Sequence, residues 1–417
     1  MYMKIRIEHT NNPLNYGTNM MVANLIYYLD KELGGENQFN IDVYNDYDLN
    51  IYKSQYPQLK IYRETIDYNF FYSRNFIDKI KNKIKRDFLY DLFNRYNLEK
   101  LEKSSEVLII LGGDDLSEYY GDEQLKRELN KLKYIKDKLN VFLVGQTIGP
   151  FSKKNEELVF EALNGVNIYT RDPWSKKYLE EELKLKNIKC SSDLALIELP
   201  NQEERIRNDN VLKKYNLKEN EYITIVASGL YESYCKNKDQ YVEVFKKSIE
   251  HIKDIYINKK IVFLPHVLRP SIIDDRNIIS ELEKCLDYSD QYVYIYEELS
   301  PMEARKILGN GVFTLTGRMH GAINTFQMRK PAISISYSVK YNGVIGQDLE
   351  MPDLIVRGEK DEDWYNGKVE KSIIEKVDYL KENYLELINR INKSLKKCEY
   401  NIDTMILEIA NELKGSK

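Results

Sequence analysis

The richest chemistry in this chain lies in Thr316-Gly317-Arg318-Met319-His320-Gly321, just beyond the apolar run Val312–Thr316 and at the start of a helical stretch through Met328. Free backbone N–H groups and the positive end of a helix dipole make such a turn an anion site. Arg318 adds a planar guanidinium suited to carboxylate or phosphate, and His320, one of 4 histidines, can donate a proton near neutral pH. Gly317 and Gly321 let a ligand approach the backbone. The plainer alternative is an arginine salt-bridged to the other domain and a histidine packed into a helix start. The strand-to-helix position favours function.

Other residues occupy equivalent places. Arg171 follows the short run Val166–Tyr169, with Asp172 as a helix cap and Pro173 as the first helical residue, so its side chain is expected at the end of a strand. Gln146 and Thr147 follow Val141–Val144 and can hydrogen-bond a ligand. Gly112 and Gly113 follow Val107–Leu111, and Asn15 and Gly17 precede an amphipathic helix through Leu33. Asp114 and Asp115 look like a metal-binding pair but lack a third ligand, so no metal is expected. His266, after Ile261–Leu264, and Glu298 are further candidates. Asp274 reads as a helix cap, and Ser300, Pro301 and Glu303 as a capping box.

The elements that must position these residues are short apolar runs separated by helical stretches. VLIIL, VFLV, ITIVA, IVFL, YVYIY, VFTLT and AISISY are continuous rather than alternating, as suits strands buried on both faces of a parallel sheet. Helical patterns at Leu125–Leu139, Tyr241–Ile257 and Ile278–Leu286 intervene, giving the βαβ signature of an α/β protein. A polar stretch between Leu199 and Asn220 marks a boundary. The expected organisation is an acceptor-side domain over 1–205, a donor-side domain over 206–370, and C-terminal helices over 371–417 that could cross back onto the first domain. Arg74–Tyr96 reads as a basic amphipathic helix, packed on the surface with a solvated basic face. Contact with anionic lipid or a lipid-linked acceptor is the alternative.

Composition narrows the classes. With 417 residues and 42% hydrophobic content, two to three cored domains fit at about 150 residues each. A net charge of -4 argues against a nucleic-acid binder. The 4 cysteines form no CxxC pair and read as reduced thiols of a cytoplasmic protein. No secretory signal opens the chain and no apolar run spans a bilayer, leaving at most attachment to the inner face of a membrane. The 34 tyrosines read first as compositional bias and second as stacking surfaces for carbohydrate.

Several motifs in order resemble the polysaccharide pyruvyl transferase family. They are LGGDDLSE (Leu111–Glu118), GQTIGPF (Gly145–Phe151), TRDPWS (Thr170–Ser175), SDLAL (Ser192–Leu196), Pro265-His266 and Thr316–Met351, where Arg318, His320, Ala322, Pro331, Tyr337, Lys340 and Gly343 carry the match. Thr18 stands where the family often has Asp, and Asp114 replaces the third Gly of its Gly-rich turn. The resemblance implies two Rossmann-like domains facing a cleft, similar to GT-B glycosyltransferases. It also implies phosphoenolpyruvate as co-substrate, no other cofactor, and a glycan or lipid-linked sugar as acceptor of a pyruvyl ketal. Arg171 and Arg318 would clamp the donor's carboxylate and phosphate. His320 would act as general acid or as a donor to the departing phosphate, and Lys340 would pair with phosphate or stand as a solvated loop lysine. A nucleotide-sugar glycosyltransferase of the same architecture is the alternative, and a non-enzymatic scaffold for glycan assembly a third reading.

Overall fold

The computed structural model describes residues 3–63 and 98–415. Among them the apolar runs form two sheets in which every strand pairing is parallel. The first holds β1 (Lys4–Glu8), β2 (Gln38–Ile41), β3 (Ile61–Arg63), β4 (Val107–Leu111), β5 (Asn140–Gln146), β6 (Asn167–Thr170) and β7 (Lys189–Cys190), in the order β3-β2-β1-β4-β5-β6-β7. The second holds β8 (Tyr222–Val226), β9 (Lys260–Phe263), β10 (Tyr292–Tyr294), β11 (Thr314–Thr316), β12 (Ala332–Ser336) and β13 (Ile355–Arg357), in the order β10-β9-β8-β11-β12-β13. Each sheet is doubly wound, with its order reversing beside its first strand: between β1 and β4, and between β8 and β11.

β4, β8 and β12 are buried at every position, which explains why they carry only apolar residues and small hydroxyls. β1 is different. Its run KIRIE carries Arg6 and Glu8 at 0% and 2% exposure, paired with each other at 3.8 Å. Several expected bounds move. The helix expected at Leu125–Leu139 is Asp122–Ile135, that at Ile278–Leu286 is Asp275–Cys285, and β10 and β11 are shorter than their apolar runs. The basic segment Arg74–Tyr96, with its surface-helix and lipid-contact readings, lies outside the described residues. No described helix is long and apolar enough to cross a membrane.

Local rules start the helices that matter. The Asn15 side chain caps Tyr16–Glu32 through Thr18 N, and Asp172 caps Pro173–Glu181 through Ser175 N. Ser300 and Glu303 cap Pro301–Asn310 reciprocally. The helix Lys368–Glu382 packs on Lys238–Ile255 and β13 in the second half, whereas Tyr384–Gly415 returns to pack on Tyr16–Glu32 of the first.

The two halves meet across the carboxyl ends of their strands. Tyr16 N donates to His266 O at 3.1 Å, Arg269 pairs with Asp48 at 2.8 Å, and Lys340 pairs with Asp114 at 3.0 Å. Arg305, fully buried, binds them together. It donates to Ala195 O and Ile197 O at 2.7 and 3.1 Å, to Gln202 at 2.8 Å, and to Asn324 at 2.9 and 2.8 Å.

Candidate active site

The turn after β11 places Arg318 and His320. Thr316 Oγ1 accepts from Arg318 N at 2.8 Å and donates to Arg318 O at 2.9 Å, closing a tight turn before the helix Met319–Gln327. Arg318 then donates through Nε and Nη2 to Asp275 Oδ1 at 3.0 and 2.8 Å, and to Ile273 O at 2.7 Å. Asp275 is fully engaged, since Gly229 N, His266 N and Val267 N also donate to it. Burial works against the Arg318 charge, but the Asp275 carboxylate outweighs it and raises the guanidinium further above its ordinary value.

His320 lies where the halves touch. Its ring packs on Gly17 so closely that a Cβ at Gly17 would overlap the imidazole. His320 Nε2 stands 3.3 Å from Asp193 Oδ2, and the same oxygen accepts from Arg171 Nη1 at 2.8 Å. Asp193, in the loop after β7, therefore links a cation of the first half to the histidine of the second. Burial alone would raise the Asp193 carboxyl, but His320 and Arg171 overcome it and hold it below the usual carboxylate range. Arg171 is 1% exposed and donates through Nε to Thr147 Oγ1 at 2.9 Å. Thr147 donates in turn to Asp172 Oδ2 at 2.8 Å.

Lys340 completes the group from β12. Its Nζ meets Asp114 Oδ2 at 3.0 Å and the Tyr337 hydroxyl, while Tyr120 donates to Asp114 Oδ1 at 2.9 Å. Lys340 is therefore buried and paired, not a solvated loop lysine, and Asp114 is the partner its position requires. The hydroxyls of Tyr341, at 3.0 Å, and of Tyr234 donate to Gly317 O. Four side chains that carry or can carry positive charge, Arg171, Arg318, His320 and Lys340, thus come with three carboxylates: Asp193 beside Arg171 and His320, Asp275 beside Arg318, and Asp114 beside Lys340. Among the described residues, Arg171 Nη2 and Arg318 Nη1 donate no hydrogen bond.

The other expected site residues turn out to shape this group or to stand apart from it. Gln146 is buried, donating to Ile110 O at 3.2 Å, and Thr147 serves Arg171 rather than facing a ligand alone. Gly112 packs on the backbone of Gly145 and Gln146, and Gly113 lies against the Asp115 carboxylate. Asn15 is a helix cap that also bridges to Val267. His266 is fully buried against Tyr16, with Nε2 3.0 Å from the Asn324 amide, and burial pushes it well below the ordinary imidazole value. It packs behind the His320 helix and is not at the cleft edge where its place after a strand put it. Glu298 is exposed and accepts from Tyr47 at 2.7 Å, joining the halves at the surface. The sequence offered no role for Asp193, Asp275 or Arg305, because only the fold shows which cations they meet.

The profile of the polysaccharide pyruvyl transferase family matches residues 15–339. The amylovoran biosynthesis protein AmsJ of Erwinia amylovora is 22% identical over 308 residues, covering 71% of this chain and 70% of that protein. Among solved structures, UDP-GlcNAc 2-epimerase from Neisseria meningitidis bound to UDP-GlcNAc aligns with a TM-score of 0.62 at 14% identity, covering 99% of this chain and 100% of that one. The corresponding epimerase of Methanocaldococcus jannaschii aligns with a TM-score of 0.56 at 14% identity, covering 91% and 92%. At that identity the epimerases share the fold: two facing doubly wound domains of the GT-B type, here with a C-terminal helical segment.

Proposed function

The chain belongs to the polysaccharide pyruvyl transferase family, and from that premise we propose that it moves the pyruvyl group of phosphoenolpyruvate onto two hydroxyls of a bacterial surface glycan or its lipid-linked precursor, forming a ketal. The observation that carries the proposal is the Arg171–Asp193–His320 bridge, which puts a guanidinium and an imidazole from opposite halves on one carboxylate oxygen. Phosphoenolpyruvate has a carboxylate and a phosphate, and the guanidinium forks of Arg171 and Arg318 suit that pair of anions. Lys340 adds charge for the phosphate.

The steps balance. His320 gives a proton to the enol C3, leaving positive charge at C2, and Arg318 and Lys340 stabilise the departing charge. One sugar hydroxyl adds to C2, and its proton restores His320. A second hydroxyl adds at C2, the C2–O bond to phosphate breaks, and the second hydroxyl proton leaves on inorganic phosphate. Two hydroxyl protons are lost, one appearing in the new methyl group and one on phosphate. We place this reaction in the cytoplasm, at the inner face of the membrane where the acceptor is lipid-linked.

The test is to supply phosphoenolpyruvate with candidate glycans, measure inorganic phosphate, and seek the pyruvyl group on the acceptor by mass spectrometry. His320→Ala is expected to abolish both signals, and near-full turnover in that variant would remove His320 from the mechanism. Release of a nucleotide from a nucleotide sugar, with no phosphate from phosphoenolpyruvate, would replace this reading with glycosyl transfer.

A further inference from the structure

We propose that Tyr337 is the acid–base residue for the loss of phosphate; this deepens, and rests on, the pyruvyl-transfer reading. Its hydroxyl gives a proton to the bridging oxygen as the C2–O bond breaks. The phenolate so formed takes the proton of the second sugar hydroxyl as that oxygen bonds to C2, and Tyr337 ends the step as it began. Phosphate expelled without a proton carries its full charge, and the hydroxyl that replaces it needs a base. His320 does not serve that hydroxyl, because the first addition has already returned its proton.

Tyr337 follows β12 directly, and Lys340 stands in the short helix Val339–Tyr341 just beyond. Lys340 Nζ donates to Tyr337 Oη and to Asp114 Oδ2, and lies 4.4 Å from the centre of the Tyr337 ring. An ammonium has hydrogens to give and no lone pair to accept. Tyr337 Oη is therefore the acceptor at this contact, and its own hydrogen is directed to some other oxygen. As that hydrogen leaves, the negative charge growing on Oη faces a fixed cation. Asp114 keeps the ammonium in place from the opposite half of the molecule, and is itself held by Tyr120 at 2.9 Å.

The ring is built onto the turn that presents Arg318 and His320. Its centre lies 5.0 Å from that of Tyr234 and 5.5 Å from that of Tyr341, edge-on to both. Those two tyrosines donate to the carbonyl of Gly317, next to Arg318. They are buried, whereas Tyr337 is only partly so. Both arginines of the donor clamp act on the pair. Burial opposes the Arg318 charge, while Asp275, Tyr234 and Tyr337 support it. Burial opposes the Lys340 charge too; Asp114 and Tyr337 support it, and Arg171 repels it. Between Tyr337 and Lys340, Ser338 is 5% exposed, and its Oγ has no hydrogen-bond partner among the described residues. A buried hydroxyl of that kind calls for a partner that the fold does not supply. A phosphate drawn to Lys340 stands beside Tyr337 Oη, where a proton can pass to its bridging oxygen.

The experiment runs the full chain in deuterated water with radiolabelled phosphoenolpyruvate and the glycan and lipid-linked glycan fraction of the bacterium that carries the gene. It follows phosphate release, label on the glycan, and deuterium entering C3 of the unconsumed phosphoenolpyruvate. Tyr337→Phe is expected to slow phosphate release by about 100-fold or more, with the half-saturating phosphoenolpyruvate concentration unchanged. Deuterium should still enter C3, because protonation there and its reversal belong to His320, and His320→Ala should lose exchange and release together. Release within a few-fold of wild type in Tyr337→Phe, or exchange lost along with release, would overturn the role of Tyr337 alone. No label on the glycan with the wild type would overturn pyruvyl transfer and this role with it. The phenylalanine keeps the ring contacts with Tyr234 and Tyr341. Should it still fail to fold, fluorotyrosine at position 337 decides: a more acidic phenol must shift the pH profile of phosphate release downward, and an unmoved profile overturns the role.

Discussion

Gly17→Ala tests the most exacting contact between the two halves. The nearest atoms to an added methyl would be Cγ, Cβ and Nδ1 of His320, all inside van der Waals contact, with Nδ1 at 2.6 Å. Carbon atoms pack at about 3.5–4.0 Å, so the imidazole and the first helix must separate by roughly 1 Å. Overpacking of that kind costs about 1–3 kcal/mol of stability. A misplacement of about 1 Å at a reacting group costs on the order of 100-fold in rate. The expected result in a phosphate-release assay is a fall of about two orders of magnitude in kcat, with a modest loss in urea-unfolding free energy. His320→Gly combined with Gly17→Ala should lose no more stability than His320→Gly alone, because the Cβ, Cγ and Nδ1 that the methyl would meet are then absent. Wild-type turnover in Gly17→Ala, or the same added stability loss whether or not the His320 side chain is present, would refute the reasoning.

Asp193→Asn strands the Arg171 guanidinium, 1% exposed, without the carboxylate 2.8 Å away; it should lose about 3–5 kcal/mol in chemical denaturation together with its turnover. Arg305→Lys cannot reproduce the five hydrogen bonds of the fork and should lower stability by about 2–4 kcal/mol in the same measurement. Burial raises the Asp348 carboxyl to about 7 despite Ser192, Lys397 and Cys398 nearby. Unfolded, it ionises near about 4, so this group lowers stability as pH rises from about 4 to about 7, and Asp348→Asn should remove a few kcal/mol of that decline in unfolding titrations at about pH 5 and pH 8.

The central strands were legible because burial on both faces excludes charged and large polar residues: β4, β8 and β12 read as VLIIL, YITIV and AISIS, whose only polar members are the small hydroxyls of Thr224, Ser334 and Ser336. β1 reads as an alternating strand instead of an apolar run, since its Arg6 and Glu8 look solvent-facing in sequence but pair with each other inside. The two-residue β7 and the edge strand β13 carry too few residues to show a period. Within the site, Arg171, Arg318 and His320 could be picked out by their place after strands. Their carboxylate partners could not, because Asp193 and His320 are far apart in the chain and meet only through folding. His266 shares that strand-end position yet is buried, so position alone does not separate a reacting imidazole from a packed one.

Among the described residues the chain passes between its halves at two places, through 191–221 and again after the helix Lys368–Glu382, where Tyr384–Gly415 lies back along Tyr16–Glu32. Two bodies pinned at two points keep one easy freedom, a rotation about the line through the pins. Any opening of the cleft between the halves must therefore be a hinge swing about that line, with sliding and twisting resisted. The strand ends far from the pins sweep the widest arc, so residues there separate most for a given angle, while Arg305 near the pivot hardly moves.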